Sequence, residues 1–290
     1  MKRMTPSFTV KKLVLALAIT GYTMSSAYAV LTAPTGAVQG TAPVLSAPSN
    51  NTPQVVDLTS NAAGDSLASG DTITLTYNYS DKDGDKDNST AHVTWYYVKA
   101  ETETPITAGI VNVLATESTS GSSTLTLPAA AIGADKIKVV IQEFSATGDP
   151  ISGNIITIDD TSEGNGGEKT PPGPVTPGGG VTPGIYLSSD TAFANNLIGS
   201  TNRMDVGQTY VFKLWDSENE GTVDLTANVT YNWRLVGTSA TDGTSAPAGG
   251  FVTSTTDDDF TVPTNTQPNG TPLTNSADGA QGFNLAVDYN

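Results

Sequence analysis

Hydrophobic and polar residues alternate with period two along much of the chain. Over residues 72–79, Ile73, Leu75, Tyr77 and Tyr79 share one face, and Thr or Asn occupies the other. That is the pattern of a half-buried β-strand. A turn-rich Asp-Gly stretch follows, then a strand over 93–98. Short strands are expected at 54–58, 106–111, 124–127, 136–143 and 155–158. About seven short strands with turns between them, and no sustained helical period, predict a small β-sandwich.

A second region repeats the first. Gly70 and Gly207 each open a strand, 137 residues apart, and Gly84 and Gly221 in acidic turns have the same spacing. Trp95 and Trp233 are 138 apart, and Gly133 and Gly279 are 146 apart. Near-constant offsets argue for a diverged tandem repeat. The drift fits a longer loop at 237–250 or 264–279. In the second copy Tyr210, Phe212 and Leu214 alternate, as do Val229, Tyr231, Trp233 and Leu235, and then Phe283, Leu285 and Val287.

Between the copies, residues 161–184 read TSEGNGGEKTPPGPVTPGGGVTPG, with Val175 and Val181 as the apolar residues. Pro removes amide donors and Gly raises the entropy of the unordered chain, so a semi-flexible linker is expected. The N-terminus carries Lys2, Arg3, Lys11 and Lys12, an apolar stretch from Leu13 to Met24, and then Ala27-Tyr28-Ala29. This reads as a secretory signal cleaved after Ala29, and the stretch is shorter than the roughly 20 residues of a membrane span. The expected organisation is a signal peptide at 1–29, an irregular segment at 30–52, a sandwich at 53–160, the linker at 161–184 and a second sandwich at 185–290. The fold class is all-β. The expected location is the periplasm, the cell surface or the outside.

Charge and composition narrow the function. The chain has 13 basic and 29 acidic residues, a net charge of −16 that becomes −20 once the signal is removed. Such a chain repels phosphate backbones, which argues against nucleic acid as a partner. It has no Cys, so no disulfide, thiolate site or Cys nucleophile, and its one His leaves little room for a His-dependent triad. No phosphate loop or nucleophile elbow is present. No enzyme and no organic cofactor are expected.

Four features carry candidate chemistry. Asp81, Asp83, Asp85 and Asp87 alternate around Gly84. Carboxylates at every second position suit a calcium ion, although the run lacks the Glu and the flanking helices of an EF-hand. The other reading is a solvated acidic turn. Asp216–Glu220 and Asp257–Asp259 are lesser acidic groups. Trp95 and Trp233 are expected in the two cores, whereas Trp215, alternating with Phe212 and Leu214, is the candidate exposed ring for stacking on a sugar. At the C-terminal end, the 146-residue offset places counterparts of the strands at 137–143 and 155–158 at 283–289 and 301–304. The second sandwich is therefore expected to lack its last strand. Either residues 185–187 pair with Phe283, Asn284, Leu285, Ala286, Val287 and Asp288, or a partner donates a strand to this edge.

The run 77–85 with Thr94-Trp95-Tyr96 resembles the immunoglobulin-like repeats of intimin/invasin-type bacterial adhesins. Residues 206–215, the Pro-Gly segment and the terminal 283–290 narrow this. Together they resemble the SinI family of autotransporter-associated proteins, similar to the ZirS-type secreted exoproteins of enteric bacteria. The resemblance implies two immunoglobulin-like domains and a secreted protein that works with an intimin/invasin-like outer-membrane partner, modulating adhesion or host interaction. The alternative is a carbohydrate-binding or calcium-dependent adhesive module.

Overall fold

The computed structural model describes residues 31–217, 223–266 and 270–290. The expected signal at 1–29, Gly221 and most of the 216–220 acidic group lie outside them. Among the described residues nine strands precede the Pro/Gly segment: β1 (Val44–Ser46), β2 (Asp57–Ser60), β3 (Thr72–Ser80), β4 (Val93–Lys99), β5 (Thr102–Ile106), β6 (Ile110–Val113), β7 (Gly121–Thr126), β8 (Lys136–Phe144) and β9 (Ser152–Ile158). One sheet runs β1-β3-β7-β6, with β2 also on β3, and the other runs β5-β4-β8-β9. The alternation read from the sequence faces them together. Ile73, Leu75, Tyr77 and Leu125 from one sheet meet Trp95, Ile137, Val139 and Ile141 from the other in a single buried cluster.

The second set is β10 (Val181–Leu187), β11 (Thr209–Asp216), β12 (Tyr231–Val236), β13 (Phe251–Thr256), β14 (Phe260–Thr261) and β15 (Asn284–Tyr289). Sheets β10-β11-β14 and β13-β12-β15 enclose a second core around Tyr210, Phe212, Leu214, Trp233 and Leu235. The chain is thus all-β and sandwich-like twice over. The glycines that open β3 and β11, Gly70 and Gly207, both sit at positive φ, 87° and 84°, a conformation that costs any other residue strain.

Trp95 and Trp233 are each 0 % exposed. The Trp95 indole N–H donates to Ser123 Oγ at 3.0 Å, and that of Trp233 donates to the Asp258 carbonyl at 2.8 Å. Trp95 pairs with Val139 across β4 and β8, and Trp233 with Val287 across β12 and β15. The repeat inferred from spacing is therefore a repeat of register.

The Pro/Gly segment departs from the expected semi-flexible linker. Val175 is 2 % exposed, and its amide and carbonyl bond Ala134 and Gly133 at 2.9 and 2.8 Å. Thr176 exchanges backbone bonds with Leu67 and Ser69, and Gly178 and Gly179 reach Ser69. β10 then begins inside the segment, at Val181. The reason is local: with few side chains of its own, the segment fits closely against the backbone of the first sandwich, which supplies the bonds. Ala129 and Ile132, from a helical turn before β8, are buried in the second core rather than the first. Both sandwiches accordingly lie in one compact unit, Gln39–Asn290. Residues 31–38 form no helix or strand, and Leu31 and Val38 are exposed.

Asp57 fastens the far end of the segment. It is buried and accepts from the Ser49 amide and hydroxyl, both at 2.7 Å, and from the Gly167 amide at 2.8 Å. Burial pushes its carboxyl up, but the three donors together outweigh burial and hold it below the usual aspartate range. A depressed folded-state value adds stability that is present above the unfolded value and lost as pH falls through the folded one. Asp57→Asn should therefore flatten the fall of unfolding free energy below about pH 4. Denaturant titrations across that range test this, and parallel curves for parent and variant would refute it.

The two indoles give a sharper expectation. Trp95→Ala and Trp233→Ala should each cost about 3–5 kcal/mol, the cost of a large cavity in a packed core. Calorimetry of each variant measures it, and a variant that melts like the parent would mean its ring carries no packing.

Candidate functional site

Alternation alone suggested that the four aspartates between β3 and β4 converge, but each has a separate structural task. Asp81 Oδ1 accepts from the amides of Asp83 and Asp85 at 2.8 and 3.3 Å, closing the turn around Gly84. Asp83 accepts from the Thr41 amide, and Asp85 from the Thr147 hydroxyl. Asp87 is turned into the core, 4 % exposed, and accepts from Tyr77 Oη at 2.7 Å and the amides of Ser89 and Ala115, both at 2.8 Å. Burial first, and then the Asp87 carboxylate, push the Tyr77 phenol far above its ordinary value. Tyr79 is pushed up to about 12 by burial and then by the charge of Asp81. Among the described residues no three His, Cys, Asp or Glu side chains form a group able to hold a metal ion.

Two further sequence readings find their places. Trp215 is 4 % exposed, not an open sugar platform. The chain after β10 folds back over it: Phe193 lies 5.7 Å from its ring, and its indole N–H donates to Tyr186 Oη at 3.0 Å. Asp257 accepts from the Tyr231 amide at 2.6 Å, and in the same triplet burial, then Asp258, raise Asp259.

Glu143, like Asp57, is a structural carboxylate that sequence reading did not single out. Glu143 is 0 % exposed and accepts from the amides of Leu45 and Asn154 at 3.0 and 2.6 Å and from Asn154 Nδ2 at 3.2 Å. It ties β1 and β9 to β8. Its signal was its parity, since it shares the inward face of Ile137, Val139 and Ile141.

The open strand edge at residues 283–288 is the site the structure brings into focus. Residues 185–187 do not pair with it: β10 pairs with β11, with Ile185 opposite Phe212. β15 pairs with β12 on one side, and among the described residues no strand pairs with its other side. Thr230 and Asn290 exchange both backbone bonds, each at 3.1 Å. In an antiparallel ladder such narrow pairs alternate with wide ones. Asp288, Ala286 and Asn284 therefore direct their backbone groups to β12, and Leu285, Val287 and Tyr289 direct theirs to the open edge. Proline at Asn284 or Ala286 would thus break the β12 ladder, not the open edge.

The twin strand shows what covers this stripe elsewhere in the chain. Leu285, Val287 and Tyr289 occupy the register of Ile137, Val139 and Ile141. The first-sandwich residues are at most 1 % exposed, whereas the second-sandwich residues are only half-buried. The difference is β9, whose Ile156 and Ile158 lie opposite Ile141 and Val139 and are themselves buried. Asp288 stands beside the uncovered stripe, 65 % exposed, with Arg234 at 2.8 Å. Free edge amides and an uncovered apolar stripe together form a surface that can receive an extended polypeptide.

No protein-family model matches the chain, and a search of curated proteins finds no match.

Asp87→Ala should destabilise the first sandwich by about 2–5 kcal/mol, because three buried donors lose their acceptor. The loss should be equal in calcium and in chelator at matched ionic strength. Denaturant titration in both buffers checks this, and a loss confined to calcium would make Asp87 a metal ligand instead.

Proposed function

We propose that this is an exported, non-enzymatic interaction protein made of two immunoglobulin-like sandwiches, and that it partners an intimin/invasin-like outer-membrane protein. The observation that carries the interaction is the edge of β15, where three residues direct backbone groups outward and their side chains leave a core stripe uncovered. Exposed edges of this kind are normally blunted or covered, because they recruit other chains. The identity of the partner rests on the resemblance of residues 77–85, 94–96 and 206–215 to adhesin-associated proteins. The acidic surface, net −16 over the whole chain, suits a protein that stays soluble and meets a basic partner.

The experiment is recovery of tagged protein from bacterial fractions. The expected chain begins at Val30, lies outside the cytoplasm and co-purifies with the intimin/invasin-like protein of the same cells. An unprocessed cytoplasmic chain overturns the export reading. Binding on a glycan array that chelator abolishes, without capture of that protein, would replace the proposal with a calcium-dependent adhesive module.

A further inference from the structure

We infer that β6 is a self-association edge: two copies of this chain pair β6 with β6, antiparallel about a two-fold axis, with Asn112 opposite Asn112. The strand lies mid-sequence in the first sandwich, and the inference does not rest on the partner proposed above. Among the described residues β6 pairs with β7, and no strand covers its other side. The phase of the ladder fixes what faces that side. The Thr126 amide donates to the Gly109 carbonyl at 2.8 Å in the β6–β7 register, and the Leu127 amide donates to the Asp71 carbonyl at 2.8 Å in the β3–β7 register. Thr126, Thr124 and Ser122 therefore direct their backbone groups to β6, and Leu125 and Ser123 direct theirs to β3. Val111 and Val113, opposite Thr124 and Ser122, complete those bonds. Ile110 and Asn112 are left to direct their amides and carbonyls to the open side. Val111, Val113 and Leu114 are 64, 53 and 47 % exposed. The strand is held from within: Asn112 Nδ2 donates to the Thr90 carbonyl at 3.0 Å, and Ile110 packs on the first core.

Charge selects a second copy as the occupant. A chain of net −16 repels itself, so two copies meet best where charge is sparse. Residues 104–134 contain one charged residue, Glu117. Other edges are acidic: β5 carries Glu103, β9 lies between Asp149 and Asp159, β13 runs into the aspartates at 257–259, and β15 carries Asp288. β6 has neither the charge nor the Pro that normally blunts an edge. An acidic or basic partner finds no counter-charge on it. The strand is also complementary to itself. Narrow pairs join residues that direct backbone groups at each other, so Asn112 meets Asn112 and Ile110 meets Leu114 of the second copy. Val111 then stands opposite Val113 of the second copy, twice, in the wide pairs where side chains approach most closely. This register pairs the free backbone groups and covers all three exposed apolar residues. A register with Val111 on Val111 would set Val113 against Gly109 and leave it bare.

The test is sedimentation equilibrium of the full chain up to about 1 mM, because so short a ladder buries little area and holds a pair weakly. The expected result is a monomer–dimer equilibrium that tightens with added salt, since salt screens the repulsion between two acidic chains. Val111→Glu with Val113→Glu sets carboxylates against each other twice and should weaken the dimer by about ten-fold or more. Val111→Lys with Val113→Glu sets Lys against Glu twice and should restore it, whereas the register with Val111 on Val111 would set Lys against Lys. Both variants change exposed side chains, so both should melt close to the parent. By NMR, amide exchange at Ile110 and Asn112 should slow as the parent is concentrated, while Val111 and Val113 stay slow throughout. That readout needs no variant, so it decides even where a variant fails to fold. A chain that stays monomeric overturns the inference. So does a dimer that the Glu/Glu variant leaves unchanged, or slowing confined to β9 or β15. The two proposals fail separately: a monomeric chain that still captures the outer-membrane protein removes the β6 pair alone, and a dimer that captures nothing removes that partner alone.

Discussion

A β-strand has two edges, and the backbone groups on both must find partners. Much of this architecture follows from how that requirement is met. In the first sandwich β9 completes the ladder on β8, and Glu143 satisfies two amides, one from β1 and one beside Gly153, that the ladders do not reach. With the edge closed, Ile137, Val139 and Ile141 are sealed from water. The second sandwich uses the same register about its tryptophan without a ninth-strand equivalent among the described residues. Its uncovered stripe and its outward amides are one fact seen from the side chains and from the backbone.

The segment between the sandwiches shows the same requirement from the other direction. Its prolines lack amide donors, and its glycines have no side chains to bury. Backbone bonding to Leu67, Ser69, Gly133 and Ala134 supplies what the side chains do not. Asp57 adds a charged acceptor for the Gly167 amide. The helical turn around Ala129–Ala131 then carries Ile132 into the neighbouring core, so the two sandwiches share an apolar contact as well as a strap.

What the sequence made legible was whatever alternates. β3, β4, β8, β11, β12 and β15 lie close to where period two placed them, and both indoles are in the cores. Strands without a clean period were harder to see. β1 is three residues within an Ala/Pro-rich lead-in, and β10 contains Pro183 and Gly184, which an edge strand tolerates and pattern reading discounts. Asp87 and Trp215 have surroundings that spacing could not show, for a shared reason. Sequence spacing gives the direction a side chain starts in, but the surrounding chain decides what lies there. Asp87 meets Tyr77 Oη, and Trp215 is roofed by Phe193. The last strand was legible because the repeat offset survived in the register, whereas its expected pairing with 185–187 fails because β10 pairs with β11.

The sharing of Ala129 and Ile132 has a kinetic side. The first core is assembled from residues within 45–175, so that sandwich can condense before the rest of the chain takes part. The second core has two of its members fixed on the first, and β10 starts from a strap already bonded to it. If the first sandwich condenses ahead, the second meets a core already partly framed, and a lesion near Ala129 or Ile132 would reach a sandwich that it does not belong to by sequence.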